Sequence, residues 1–178
     1  VSDQPVDAFI AVGSNIRPQQ NVTDALELLQ QQVRVLASST FYWTSPLDRT
    51  DQPRFLNGVW RIRTSLLPRS LKFDVLRGIE SKLGRARTKD KYAPRPIDLD
   101  IVLYGRLMLN EPDLLIPDPD IRRRPFIAVP LLELAPDLTM PDTGEPIAAL
   151  ADRQTAMHLE PAEAVTKRLR QAIRTRHA

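Results

Sequence analysis

Residues 68–104 read PRSLKFDVLRGIESKLGRARTKDKYAPRPIDLDIVLY, and this stretch decides the architecture. Pro68 suits a first helical turn, and Leu71, Val75, Leu76, Ile79 and Leu83 recur on one face of a 3.6-residue period. Gly84 stands just past the end, where a left-handed cap falls, so a helix is predicted from Pro68 up to Gly84. Pro96 to Tyr104 carries the other period. Asp98 and Asp100 project from one side of a strand while Ile97, Leu99, Ile101 and Leu103 project from the other.

Upstream, Asp7 to Val12 reads as a strand broken by Gly13-Ser14-Asn15. A helix is expected from Asn21, which can cap its first turn, with Val22, Ala25, Leu26, Leu29 and Val33 as its apolar face. Val35 to Tyr42 is β-rich, Thr44 to Arg54 is a polar loop held irregular by Pro46 and Pro53, and Phe55 to Thr64 alternates as a strand with Leu56, Gly58, Trp60 and Ile62 on one face. Downstream, Gly105-Arg106 is expected to turn the strand into a short partner, Leu107 to Leu109. Ten of the sixteen prolines fall between Pro94 and Pro146, which predicts rigid, irregular chain with helical turns near Asp120 and over Pro130 to Leu134. Pro161 onward forms a last basic helix with Val165, Leu169 and Ile173 on one side. Strand, helix, two strands, helix, strand is the order of an α+β, ferredoxin-like sandwich: a mainly antiparallel sheet with helices packed on one face.

A length of 178 residues fits one domain, here a core over about residues 7–150 with a helical C-terminal extension over 151–178. With 42% hydrophobic and 26% charged residues the composition is globular. No apolar run approaches the roughly 20 residues that span a bilayer, and VSDQPVD has no signal-peptide character, so a cytoplasmic protein without a membrane partner is expected. Cysteine is absent, and the two histidines, His158 and His177, lie near the end, which leaves oxygen as the donor for any metal. The net charge of +3 is too small for a nucleic-acid platform, but the segment from Lys82 to Arg95 holds six basic residues and one acid.

Chemistry concentrates where that basic segment meets the acids. Two like charges two residues apart on an apolar strand repel unless a cation sits between them, and hard oxygen donors suit magnesium. Exposed, solvated acids would be the plain alternative. Arg85, Arg87, Lys89, Lys91 and Arg95 immediately precede the pair, and guanidinium forks match phosphate oxygens, so the combination points to a nucleoside triphosphate. No P-loop pattern occurs, so side chains must grip the phosphates. Separately, Thr44-Ser45-Pro46-Leu47 with Phe55-Leu56-Asn57 joins a rigid turn, an aromatic ring and an amide, the parts that hold a flat heterocycle.

AFIAVGSN at 8–15, FYWTSPL at 41–47, DQPRFLNG at 51–58, LGRART at 83–88, APRPIDLDIVLYG at 93–105 and RPFIAVPLLELAPDL at 124–138 together resemble the 6-hydroxymethyl-7,8-dihydropterin pyrophosphokinases of folate biosynthesis. The resemblance implies transfer of pyrophosphate from ATP to the pterin hydroxymethyl oxygen, leaving AMP, with two magnesium ions; a monomer is expected. It sets Asp98 and Asp100 as metal ligands and, with Arg85 and Arg95, as catalytic residues. Glu80, Arg85, Arg87, Lys91, Arg95, Ile101, Asp118 and Arg124 fall on the ATP side. Thr44, Pro46, Leu47, Phe55, Asn57, Tyr92, Asp98 and Phe126 fall on the pterin side, with Phe126 stacking on the ring and the Arg85 to Pro94 loop closing over ATP.

Two departures stand out. Asp118 occupies the place where this family has a phosphate-contacting histidine, with Arg122 and Arg123 near enough in sequence to pair with it, and Trp43 replaces an arginine of a Y-R-T motif. An anion there opposes ATP by about 0.5 to 2 kcal/mol at roughly 8 Å. A catalytically weakened pterin- or nucleotide-binding paralogue is therefore the rival reading, separated by turnover. A ferredoxin-like nucleic-acid-binding module is the other, opposed by the two acids, and a steep salt dependence of RNA binding would support it.

Overall fold

The structure is a computed structural model that describes residues 4–46, 51–86, 90, 93–154 and 157–177. The chain runs β1 (Val6–Ser14), α1 (Pro18–Gln30), β2 (Arg34–Ser38), β3 (Tyr42–Thr44) and β4 (Phe55–Thr64). A helical run, α2, follows as an α-turn over Pro68–Ser70, a π-helical stretch over Leu71–Leu76 and an α-segment over Arg77–Lys82. After it come β5 (Asp98–Tyr104), the hairpin β6 (Leu109–Glu111) and β7 (Leu114–Ile116), and a 3-10 turn over Pro119–Arg122. Helices α3 (Pro125–Leu134) and α4 (Ile147–Arg153), strand β8 (Glu160–Pro161) and helix α5 (Glu163–His177) complete it.

Strand β4 organises the sheet. One edge pairs antiparallel with β1 from Val6 opposite Thr64 to Ser14 opposite Leu56. Its other edge is shared by β2 and β3, and the strand order is β5-β1-β4-β3-β8. Between β2 and β3 the chain steps across β4, where Ser39 Oγ accepts from the Val59 N–H at 2.9 Å and the Phe41 ring lies on Gly58. The last helix is tied in at the same step, because the Phe41 N–H donates to Thr166 Oγ1 at 2.9 Å.

Alternation along β1, β4 and β5 makes two apolar faces, and helices cover both rather than one. On the first, Ile10, Val12, Trp60, Ile62 and Leu99 pack with Leu26 and Leu29 of α1, Leu76 of α2 and Leu169 of α5. On the second, Phe9, Val59, Val102 and Leu103 pack with Ile127 and Leu131 of α3 and Leu150 of α4. The proline-rich segment thus supplies a second layer. Leu103 does not share a face with Leu99 and Ile101, because the register with β1 shifts between Phe9 and Ile10 and the extra residue turns the strand over.

Three local expectations change. Helix α1 begins at Pro18 and not at Asn21; Arg17 precedes it with a left-handed φ of 40°, and the Asn21 side chain is buried, donating to the Ile16 carbonyl at 2.5 Å. Residues 107–109 do not return along β5, since Leu109 starts a separate hairpin in which it pairs with Ile116. The helix of residues 68–82 keeps its apolar stripe but widens to a π-turn over six residues, and Gly84 ends the run at φ 84° as its position implied.

Gly58 is fixed by contact, since a Cβ there would lie 2.5 Å from the fully buried Phe41 ring. Gly58→Ala is expected to cost about 1–3 kcal/mol of stability by overpacking, read as a lower midpoint in urea unfolding; an unchanged midpoint would show that the ring has room to move.

Candidate active site

Among the described residues, strand β5 ends the sheet, with β1 as its partner on one side. The outward backbone groups of its residue Leu99 are taken by α2: the N–H donates to Glu80 Oε1 at 2.8 Å, and the carbonyl accepts from Lys72 Nζ at 2.9 Å. An open edge is thereby closed by two charged side chains instead of another strand. Because Asp98 and Asp100 flank Leu99, the same docking brings a carboxylate and an ammonium beside both acids.

Each acid is engaged differently. Asp98 uses both oxygens: Oδ1 accepts from Arg85, and Oδ2 accepts from Arg95 at 2.6 Å. Arg85 also bonds Glu80 Oε1 at 2.6 Å and the Ile97 carbonyl at 3.3 Å. Asp100 accepts through Oδ1 from Lys72. Burial pushes the Asp98 carboxyl up, but the two guanidinium groups outweigh it and hold it below the usual range. Burial and then neighbouring Asp98 push Asp100 up, and Lys72 opposes them.

A row of residues leads from these acids across the sheet. Asp98 lies opposite Gly13, and Gly13 opposite Asn57. Gly13 leaves the amide its space, since a Cβ would sit 2.8 Å from Asn57 Oδ1. Asn57 Nδ2 donates to Thr44 Oγ1 at 2.7 Å, so the amide is held with its oxygen available. A cavity of about 300 Å³ spans the row, small-ligand sized, with Asp98, Asp100 and Arg95 at one end and Thr44, Pro46 and Phe55 at the other. Phe126, Arg124 and Asp118 come in from the second layer. The loops at the mouth are pinned by Asn15: its Oδ1 accepts from the Arg95 N–H at 2.8 Å, and its Nδ2 donates to Gln52 Oε1 at 3.3 Å.

The 7,8-dihydro-6-hydroxymethylpterin-pyrophosphokinase family matches residues 9–136, most of this sheet and both ends of the cavity. The chain belongs to that family. A pyrophosphokinase of Pseudomonas aeruginosa acting, by its name, on 2-amino-4-hydroxy-6-hydroxymethyldihydropteridine is 40% identical over 137 residues, covering 75% of this chain and 83% of its own. A folic acid synthesis protein of Pneumocystis carinii is 39% identical over 155 residues, 86% of this chain but 21% of that much longer protein. In fold, the chain is similar to a Plasmodium falciparum HPPK-DHPS crystal structure with pterin and p-hydroxybenzoate, at TM-score 0.67 and 13% identity, covering 84% of this chain and 42% of that one.

Among the residues the pyrophosphokinase resemblance singled out, the cavity gathers Thr44, Pro46, Phe55 and Asn57 with Arg95, Asp98 and Asp100, and adds Asp118, Arg124 and Phe126. Glu80 and Arg85 stand behind Asp98 and are not among its lining residues. Ile101 does not reach it: at 2% exposure its side chain belongs to the first core, on the opposite pleat from Asp100. Leu47, Arg87, Lys91 and Tyr92 lie outside the described residues. Lys72, Gln52 and Asn15 were not foreseen. Lys72 had a signal, a lysine four residues before Leu76 within an apolar stripe; the Asn15 bracket had none, because it joins loops distant in sequence.

Asp118 caps the 3-10 turn, accepting from the Asp120 N–H at 2.8 Å. Arg122 does not pair with it and bonds Asp142 at 2.8 Å, and Arg123 is exposed. Burial first, with the Asp100 and Asp120 charges, pushes the Asp118 carboxyl up from 3.8 to about 6. Between those values the folded protein holds more protons than the unfolded chain, so stability falls as pH rises through the window and stays low above it. Asp118→Asn, which keeps the cap, is therefore expected to raise the melting temperature at pH 7.5 and to lose that advantage by pH 4. An equal gain at both pH values would mean that Asp118 carries no unfavourable charge.

Proposed function

We propose that the protein transfers the β,γ-pyrophosphoryl group of ATP to the hydroxymethyl oxygen of 6-hydroxymethyl-7,8-dihydropterin, with Asp98, Asp100, Arg85 and Arg95 as the reacting-end residues. The observation that carries this reading is one cavity with a carboxylate pair and arginine at one end and an oriented amide between apolar surfaces at the other. A flat, hydrogen-bonding ring suits Asn57, Thr44 and Pro46, with Phe55 and Phe126 against its faces. Such a pose aims the hydroxymethyl substituent along the row toward Asp98.

The residues fit magnesium. Both donors are carboxylates on one cavity wall, the hard oxygen ligands that bind this ion together with substrate phosphates. Magnesium held by Asp98 and Asp100 would neutralise triphosphate charge and polarise the β-phosphate. The alcohol oxygen forms the bond to the β-phosphorus, the bond to the bridging oxygen of the α-phosphate breaks, AMP departs and the alcohol proton passes to solvent. No described residue is placed as a strong base, and positioning with charge compensation carries the step.

Arg85 and Arg95 have a double part. Both guanidinium groups neutralise Asp98. A triphosphate offers their planar forks more charge and matching oxygens, so they pass to phosphate and release the Asp98 carboxylate for the cation. Nucleotide and cation then favour each other's binding. Glu80 remains as the anchor from which Arg85 swings.

AMP formation from ATP, magnesium and the dihydropterin is the direct assay. Activity should be present in the native protein and fall by more than about 100-fold in Asp98→Ala and in Asp100→Ala, with melting temperatures showing intact folds. Binding of both substrates without AMP would favour the non-catalytic paralogue, and full activity in both variants would remove the metal assignment.

A further inference from the structure

Lys72 is 7% exposed on the apolar face of α2, within the π-helical stretch, where the surrounding stripe is hydrophobic. A buried ammonium persists only where its donors are satisfied. Here they are shared between the Leu99 carbonyl at 2.9 Å and Asp100 Oδ1. The carbonyl is fixed backbone of a central core residue, so it anchors the ammonium, and the ammonium in turn fixes one oxygen of a carboxylate that is half-buried. Asp100 Oδ2 takes no hydrogen bond from the described residues. Asp98 is different, with both oxygens on arginines that ATP can draw away.

We propose that Lys72 is a positioning residue for the phosphoryl-transfer centre: it clamps Asp100 by Oδ1 so that Oδ2 is presented to the cation that accompanies ATP. The proposal rests on the pyrophosphokinase reading of Asp100. Ligating carboxylates are held by partners of their own, and loss of such a partner weakens metal affinity or activity by about 10- to 100-fold. Lys72 differs from Arg85 and Arg95 in its environment: it is almost fully buried and its other bond, at 2.9 Å, is to Leu99, the residue next to Asp100 on β5, so it stays on its carboxylate throughout.

Calorimetry with a non-hydrolysable ATP analogue, with and without magnesium, tests this in the native protein, Lys72→Met, Asp100→Asn and the double variant. In the native protein magnesium should tighten analogue binding; affinity indifferent to magnesium would overturn the reading of the site itself. Lys72→Met should lose about 10- to 100-fold of the magnesium-dependent affinity. It should keep the native affinity for pterin in the absence of metal. Added to Asp100→Asn, it should cost nothing further, because both changes remove one interaction. If Lys72→Met lowers the melting temperature, Lys72→Gln, which keeps a donor for the Leu99 carbonyl, carries the same comparison. Native magnesium-dependent affinity in the variant, equal losses for pterin and nucleotide, or an undiminished loss in the Asp100→Asn background would each overturn the proposal.

Discussion

The outward backbone edge of the buried residue Leu99 is the constraint on which the site depends. An edge strand must satisfy or shield its outward N–H and C=O, and here Glu80 and Lys72 bond both groups of one residue. That requirement docks α2 along β5. It also sets an anion and a cation beside the two acids that flank Leu99, so closing the edge and placing charges around those acids are one event. Glu80 shows the cost of this economy: burial pushes its carboxyl up, and bonds to Leu99 and Arg85 oppose that.

From that edge the site extends inward along one row of the sheet. Asp98, Gly13 and Asn57 are successive cross-strand neighbours, so the distance from the acids to the Asn57 amide is set by strand spacing, not by loop conformation. Rigid placement of this sort is what transfer between two bound substrates needs. The second layer completes the cavity with Phe126 and Arg124 at the start of α3, and with Asp118 in the turn before it. Asp118 and Asp120 add two carboxylates to a cavity already lined by Asp98 and Asp100.

Much of this was legible from periodicity. The 2-residue alternation of β4 and β5 and the stripe of residues 71–83 gave the central strands, the helix and the face carrying Asp98 and Asp100. Their motifs were specific enough to indicate the family. Long-range pairing was not legible. Leu103 changed face because a bulge depends on β1, and residues 107–109 read as a return strand although their hydrogen-bond partner was Ile116. The covering of the second sheet face lay in proline-rich chain whose helices are short, so no window carried a long period. Lys72 was missed because a charge in an apolar stripe reads as a helix-face irregularity until its partner on another element is known.

Asp98 is expected to exchange its two arginines for a cation when ATP arrives. A crystal structure with magnesium, a non-hydrolysable ATP analogue and the pterin tests it most directly. Arg85 and Arg95 are expected on phosphate oxygens, Asp98 on magnesium, and Lys72 still on Asp100 and the Leu99 carbonyl. Arg85 and Arg95 both remaining on Asp98, with the nucleotide held by other residues, would contradict it.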